Sequence, residues 1–143
     1  MRVLFVGEYR HSIDAKGRLF VPVKLREELG QTFMVCKGFD RCLMLHPMES
    51  WQKFVEKLEE LTIVGQKNIR RYFFSSAFEA TVDSQGRVII PPDYRQFAGL
   101  EKNVCLIGNN RHLELWDEAA WDAELSSNMN NEDIAAELLK LGF

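Results

Sequence analysis

No apolar run in this chain approaches the roughly 20 residues that a bilayer-spanning helix needs, so no membrane partner is expected. The opening Met1-Arg2-Val3-Leu4-Phe5-Val6-Gly7 is too short for a signal-peptide core and has no small-residue cleavage site, which points to the cytoplasm. Cysteine is scarce. Cys36, Cys42 and Cys105 are odd in number and lack framework spacing, as expected in a reducing compartment. There is no Gly-x-Gly-x-x-Gly or Walker-type loop; Lys16-Gly17 has no preceding glycine at the right distance. His11, His46 and His112 show no spacing that joins them to a Ser or Cys nucleophile and a carboxylate. An enzyme is therefore not expected, nor a cofactor or small-molecule substrate. Cys42-x-x-x-His46, with Cys36 nearby, could offer metal ligands, but structural zinc uses two close ligand pairs and the second is missing.

Positive charge is also short. The net charge is −3, which argues against a broad basic footprint. The distribution is uneven. Residues 1–26 carry Arg2, Arg10, Lys16, Arg18, Lys24 and Arg26 against Glu8 and Asp14. Residues 117–143 carry Asp117, Glu118, Asp122, Glu124, Glu132, Asp133 and Glu137 against Lys140. A local positive face can exist on an acidic protein.

What is present is a repeat. Asp14-Ala15-Lys16-Gly17-Arg18 returns as Asp83-Ser84-Gln85-Gly86-Arg87, a shift of 69 positions. The same shift pairs Pro22 with Pro91, Arg26 with Arg95, Gly30 with Gly99 and Cys36 with Cys105, and matches Phe20 with Ile89 by apolar class. After Gly38 the shift becomes 70, pairing Leu43 with Leu113, Leu45 with Leu115 and Trp51 with Trp121. One residue slipped in a loop accounts for that. A copy of about 45 residues is too small to bury a core alone, so the copies are expected to fold against each other.

Each copy reads as strand, turn, strand, short helix, hairpin, helix. In the first, strand runs from Val3 to Ile13 with a break at Gly7-Glu8, and Leu19 to Val21 resumes it. Pro22 opens a helix over Val23 to Leu29 and Gly30 stops it. Phe33 to Lys37 and Cys42 to His46 follow as strands. A helix from Pro47 carries Trp51, Phe54, Val55, Leu58 and Leu61 on one stripe. Val64-Gly65-Gln66 should break it, with Asn68 capping the next helix to about Ser76. In the second copy the last hairpin should turn at Gly108-Asn109-Asn110. Asp117 should cap one helix and Asn131 the last, with Ile134, Leu138 and Leu141 on one side. The expected fold class is α+β: repeats over 8–50 and 77–120, a helical linker over 51–76 and a helical segment over 121–143. The two copies are expected to close one pseudo-twofold β-barrel by exchanging hairpins, which would remove exposed sheet edges.

The Asp-x-x-Gly-Arg turns admit two readings. In one, Asp14 and Asp83 close the turns, Gly17 and Gly86 supply positive φ, and each Arg pairs with an Asp, with the pairing running across the pseudo-twofold. In the other, the turns are exposed tips that carry Lys16 and Arg18 towards phosphate or a guanine edge. The turn residues alone leave these even. The aromatic residues Trp51, Phe54, Tyr72, Phe73, Phe74, Trp116 and Trp121 read as core or subunit interface rather than a base-stacking platform.

Gly7-Glu8-Tyr9-Arg10-His11-Ser12-Ile13-Asp14-Ala15-Lys16-Gly17-Arg18, followed by Val21-Pro22, resembles the opening of the MraZ family. The second Asp83-to-Arg87 turn and Leu115-Trp116 extend the resemblance over essentially the whole chain. That family is similar to a tandem of the AbrB/SpoVT swapped-hairpin module of bacterial transition-state regulators and antitoxins. The resemblance implies a nucleoid-associated, DNA-binding transcription regulator. It implies ring-shaped homo-oligomers, and direct repeats upstream of the division and cell-wall operon that contains its own gene. Carried over residue by residue, it marks Asp14, Arg18, Asp83 and Arg87. Lys16 is replaced by Gln85 in the second copy, so the first should carry most of the DNA contact, with Arg10 and His11 adding to it. The alternative of another class is an antitoxin-like protein-interaction module.

Overall fold

Alternating apolar residues, interrupted by Gly and Pro, resolve the first copy into β1 (Glu8–Ser12), β2 (Arg18–Phe20), α1 (Val23–Leu29), β3 (Thr32–Lys37), β4 (Leu43–Pro47) and α2 (Met48–Glu59). Helix α3 (Lys67–Ser76) leads into the second copy. That copy comprises β5 (Phe78–Thr81), β6 (Arg87–Ile89), α4 (Pro92–Phe97), β7 (Asn103–Asn109), β8 (His112–Asp117) and α5 (Glu118–Asn128), and α6 (Asn131–Lys140) follows. The computed structural model describes residues 2–62 and 66–143; Val64 and Gly65, where the break was expected, lie outside them.

Local chemistry sets most helix ends. Gly30 ends α1 at φ 88° and its N–H donates to the Arg26 carbonyl, as a residue without a Cβ can. The Asp117 carboxylate caps α5 by accepting the Ala120 N–H at 3.2 Å. Two expected caps are displaced. Gln66 precedes α3, so Asn68 lies inside its first turn, where its side chain accepts from Arg71. Asn130, not Asn131, caps α6, accepting the Asp133 N–H at 2.9 Å. The β7–β8 turn also moves. Asn110 takes the positive φ of 62°, while Gly108 stays in β7 because the N-terminal segment crosses it. A Cβ there would stand 2.5 Å from the Val6 backbone.

Strands of the two copies pair with each other. β1 pairs with β7, β3 with β5, β4 with β8 and β2 with β6, all antiparallel. Among the described strands, the β3–β4 and β7–β8 hairpins pair within a copy. Their shared core draws Leu19, Leu25, Phe33 and Leu45 from the first copy and Val88, Ile90, Val104 and Leu115 from the second. Burial of this kind is the main term holding the copies together.

The expected closed barrel is not formed. The main sheet runs β1-β7-β8-β4-β3-β5 and is open, with β1 and β5 at its edges. The reason lies in the Asp14 and Asp83 turns, which send β2 and β6 out of the sheet to pair with each other. The resulting two-stranded ribbon touches β1 through β2 and β5 through β6, with a single bridge between Ile13 and Leu19. On the other face of the sheet, α2 and α3 bury Trp51, Leu58 and Phe73 over Cys36 and Met44. α5 buries Trp121 over Cys42, Cys105 and Trp116. The cysteines are therefore packed as small apolar groups. Burial pushes the Cys36 and Cys105 thiols up to about 12 and about 11.

Candidate nucleic-acid interface

Each Asp-x-x-Gly-Arg turn is built by one carboxylate. Asp14 Oδ1 accepts the Lys16 N–H at 3.0 Å and the Arg18 N–H at 2.9 Å, while Oδ2 accepts from Arg18 Nε at 2.6 Å. Asp83 does the same for Gln85, Arg87 and Arg87 Nε at 2.9, 2.9 and 3.1 Å. These donors, led by the backbone N–H of the Arg, hold both carboxyls below the usual carboxylate range. The Asp–Arg pair lies within each turn, not across the pseudo-twofold.

What crosses the pseudo-twofold is the backbone. Val21 N–H donates to the Gly86 carbonyl at 2.9 Å and Ile90 N–H to the Gly17 carbonyl at 2.8 Å. Gly17 and Gly86 share φ 80°. Each also makes room for an arginine of the other copy. A Cβ on Gly17 would lie 3.0 Å from the Arg95 guanidinium, and one on Gly86 2.9 Å from that of Arg26. Arg95 Nε donates to the Ile90 carbonyl at 2.9 Å, and the Arg26 guanidinium lies 5.5 Å from the Phe20 ring.

The ribbon register fixes what faces outward. Arg18 stands opposite Ile89, Leu19 opposite Val88 and Phe20 opposite Arg87. Side chains alternate along a strand. Leu19 and Val88 are buried in the core, so Arg18, Phe20, Arg87 and Ile89 share the outer face. Phe20 is 39% and Ile89 60% exposed; the arginine side chains are 31% and 29% exposed. Arginine and apolar residue thus sit on opposite diagonals of a four-residue patch. Among the described residues, neither arginine bonds anything through its terminal nitrogens. Lys16 is exposed beside Arg18, and the His11 ring lies 5.7 Å from Phe20.

Arg10 is placed differently. It follows the strand alternation to the side of α5. There its guanidinium meets Glu8, Asp122 at 2.9 Å and Glu118 at 3.7 Å. Among the described residues β1 pairs with β7 and β2 with β6, so β1 and β2 do not form a paired hairpin. Sequence reading passed over Phe20, Ile89, Arg26 and Arg95 as site residues. Their matched recurrence at a shift of 69 was the signal available.

Nothing in the described residues gathers three or more His, Cys, Asp or Glu side chains as metal ligands. Cys42 Sγ donates instead to the Phe39 carbonyl at 3.0 Å. No described helix is long and apolar enough to cross a membrane.

Comparison with known proteins matches both halves of the chain to one family. A family model described as "MraZ protein, putative antitoxin-like" matches residues 4–68 and 73–141. The "Transcriptional regulator MraZ" of Acetivibrio thermocellus is 43% identical over 143 residues, covering 97% of this chain and 99% of that protein. The protein of the same name from Clostridium tetani is 38% identical over 141 residues, with 97% and 99% covered. That from Heliobacterium modesticaldum is 46% identical over 120 residues, with 82% and 84% covered.

Proposed function

The chain belongs to the MraZ family, and we propose that it is a non-enzymatic, DNA-binding transcription regulator whose β2–β6 ribbon lies against a DNA duplex. The major groove of B-DNA admits a two-stranded ribbon, and such ribbons are an established reading element. The observation that carries this reading is the outer patch. Asp14 and Asp83 hold Arg18 and Arg87 by Nε, which leaves the terminal nitrogens aimed for a bidentate contact with phosphate or guanine O6 and N7. Phe20 and Ile89 offer apolar contact to thymine methyl groups. Lys16 adds a phosphate contact and releases counterions, and His11 borders the patch. Arg10, still paired with Glu8, Glu118 and Asp122, adds a weaker contact at the edge of the patch. The repeats are read as 8–50 and 77–120, joined by 51–76 and followed by 121–143.

On the same reading the protein acts from the cytoplasm on the nucleoid. It works as a ring, because one patch per subunit is weak and several in register gain affinity through effective concentration. Subunits related by rotation in one sense suit direct repeats. Those repeats lie upstream of the division and cell-wall operon that holds its own gene.

A gel shift with that upstream DNA tests the proposal. Arg18→Ala removes a bidentate donor worth roughly 1–3 kcal/mol per subunit, and repetition around a ring multiplies the loss until binding nearly disappears. Sedimentation of the variant should match the wild type, because Asp14 keeps both of its backbone donors. A wild-type gel shift from Arg18→Ala overturns the assignment.

A further inference from the structure

The face of the sheet that carries α2 holds a cavity that the ribbon does not use. It measures about 430 Å³ and lies between α2, β4 and the start of β8. Met44, His46 and Ser50 line it at 6%, 2% and 5% exposure, with the half-buried Phe54 and His112 beside them. Much of this wall is ring. Phe54 stacks on the His46 imidazole at 5.1 Å, and the His112 ring stands 5.0 Å from it at a tilt of 32°.

His46 is the anomaly of the wall. Its Nε2 is buried and has no hydrogen-bond partner. A polar atom left so costs free energy that a hydrogen bond would recover. Burial pulls the imidazole down to about 3, so it is neutral across the physiological range. A nitrogen of a neutral imidazole is either donor or acceptor, and a hydroxyl can answer both. Charge at the rim selects further. Lys53 is paired with Glu49 and Lys57 with Glu60, each at 3.8 Å, and Arg111 is also engaged. Among the described residues, then, no rim cation stands free to draw an anion.

We propose that this cavity binds a small, uncharged aromatic alcohol, with its ring against Phe54 and its hydroxyl bonded to His46 Nε2. Rings favour offset and edge-on contact of the kind this wall offers. Nε2 is closed to water, so entry has to move a neighbour. The His112 ring yields, because it is half-buried and its contact with Glu114 is 3.9 Å, longer than a hydrogen bond. The claim needs neither the ribbon's contact with DNA nor the ring of subunits, so it can fail while they stand.

Calorimetric titration of the full chain with β-naphthol, naphthalene and β-naphthoate tests it, since the probes share one ring system. β-Naphthol should bind saturably. Naphthalene should bind about tenfold more weakly, the worth of one neutral hydrogen bond, and β-naphthoate more weakly still. Two variants locate the ligand. Glu56→Trp, at an exposed position of the rim, should fill the mouth and abolish β-naphthol binding. His46→Phe keeps a ring without the nitrogen and should erase the preference for β-naphthol over naphthalene. Should that variant not fold, the order of the probes and Glu56→Trp still decide. Equal affinity of the wild type for β-naphthol and naphthalene overturns the proposal, since an apolar patch is then all that binds. Tighter binding of β-naphthoate overturns it as well. So does undiminished binding by Glu56→Trp, which puts the ligand elsewhere, and a wild type that does not bind β-naphthol sinks it outright.

Discussion

The turn at Asp14 and the turn at Asp83 are the same object made twice. Each has one carboxylate, two backbone donors, one guanidinium Nε and a glycine at φ 80°. What they carry differs: Lys16 in the first, Gln85 in the second. The helices diverge further. α3 lies on β3 with Phe73 buried, whereas every residue of α6 is exposed. Asp, Gly and Arg, which supply the bonds and the backbone angle of the turn, are kept in both copies. Charge at the tip and apolar surface beyond the core are free to vary, and there the copies have parted.

Substitution at the two glycines should break the likeness most. Placing Ala at a backbone of φ 80° is strained by roughly 1–3 kcal/mol at either site. At Gly17 the new Cβ also meets the Ile90 carbonyl oxygen at 2.8 Å. That oxygen is fixed by Arg95 and cannot yield cheaply. At Gly86 the nearest atoms belong to the Arg26 guanidinium, the far end of a flexible side chain. Gly17→Ala should therefore lose stability at or above the top of that range, and Gly86→Ala within it. Urea denaturation measures both; equal losses would mean that the two turns are braced alike.

Acid should act on the turns together. Both aspartates have folded pKa values held below 3.8. A lowered folded pKa stabilises the native state above the unfolded pKa, and that contribution is lost as pH falls through the folded value. Thermal stability should fall below about pH 4, and Asp14→Asn and Asp83→Asn should each flatten the fall by a similar amount. A melting profile that stays flat from pH 5 to pH 3 would sever the turns from stability.

Exchange of the tip charges has a smaller expected effect. Lys16→Gln should lower the slope of log affinity against log salt by about 1 per bound subunit, the loss of one phosphate contact. Gln85→Lys asks whether the second turn reaches the duplex. A slope raised by about 1 places it there, and an unchanged slope confines phosphate contact to the first.

The parts of the fold that depend on neighbours in sequence were legible. Asp-x-x-Gly-Arg announced both turns, Pro22 and Gly30 bounded α1, and Asp117 capped α5. Adjacent asparagines were not separable. Asn130 and Asn131 offer the same side chain, and backbone conformation alone selects the cap. Barrel closure failed for a different reason. Alternation shows that β2 and β6 each have one buried face, but not that each leaves its preceding strand to pair with the other, 69 positions away. The site was half legible. Arg18 and Arg87 stood in the motif, while Phe20 and Ile89 join them only once the ribbon register is known.

Arg10 was expected to add to the DNA contact with His11, and in the subunit it is held by Asp122, 112 positions along the chain. This makes it the finest test of the contrast between braced and free charge. Glu8, Asp122 and Glu118 already surround its guanidinium, so phosphate must compete with three carboxylates for it. Exposed pairs of this kind add little to stability, and Arg10→Ala should leave the melting temperature nearly unchanged. It should also leave the salt slope close to wild type, whereas Lys16→Gln lowers it. If Arg10→Ala lowered the slope as far as Lys16→Gln does, the guanidinium must leave α5 when DNA binds. The duplex would then extend from the ribbon across β1, a wider contact than the four-residue patch requires.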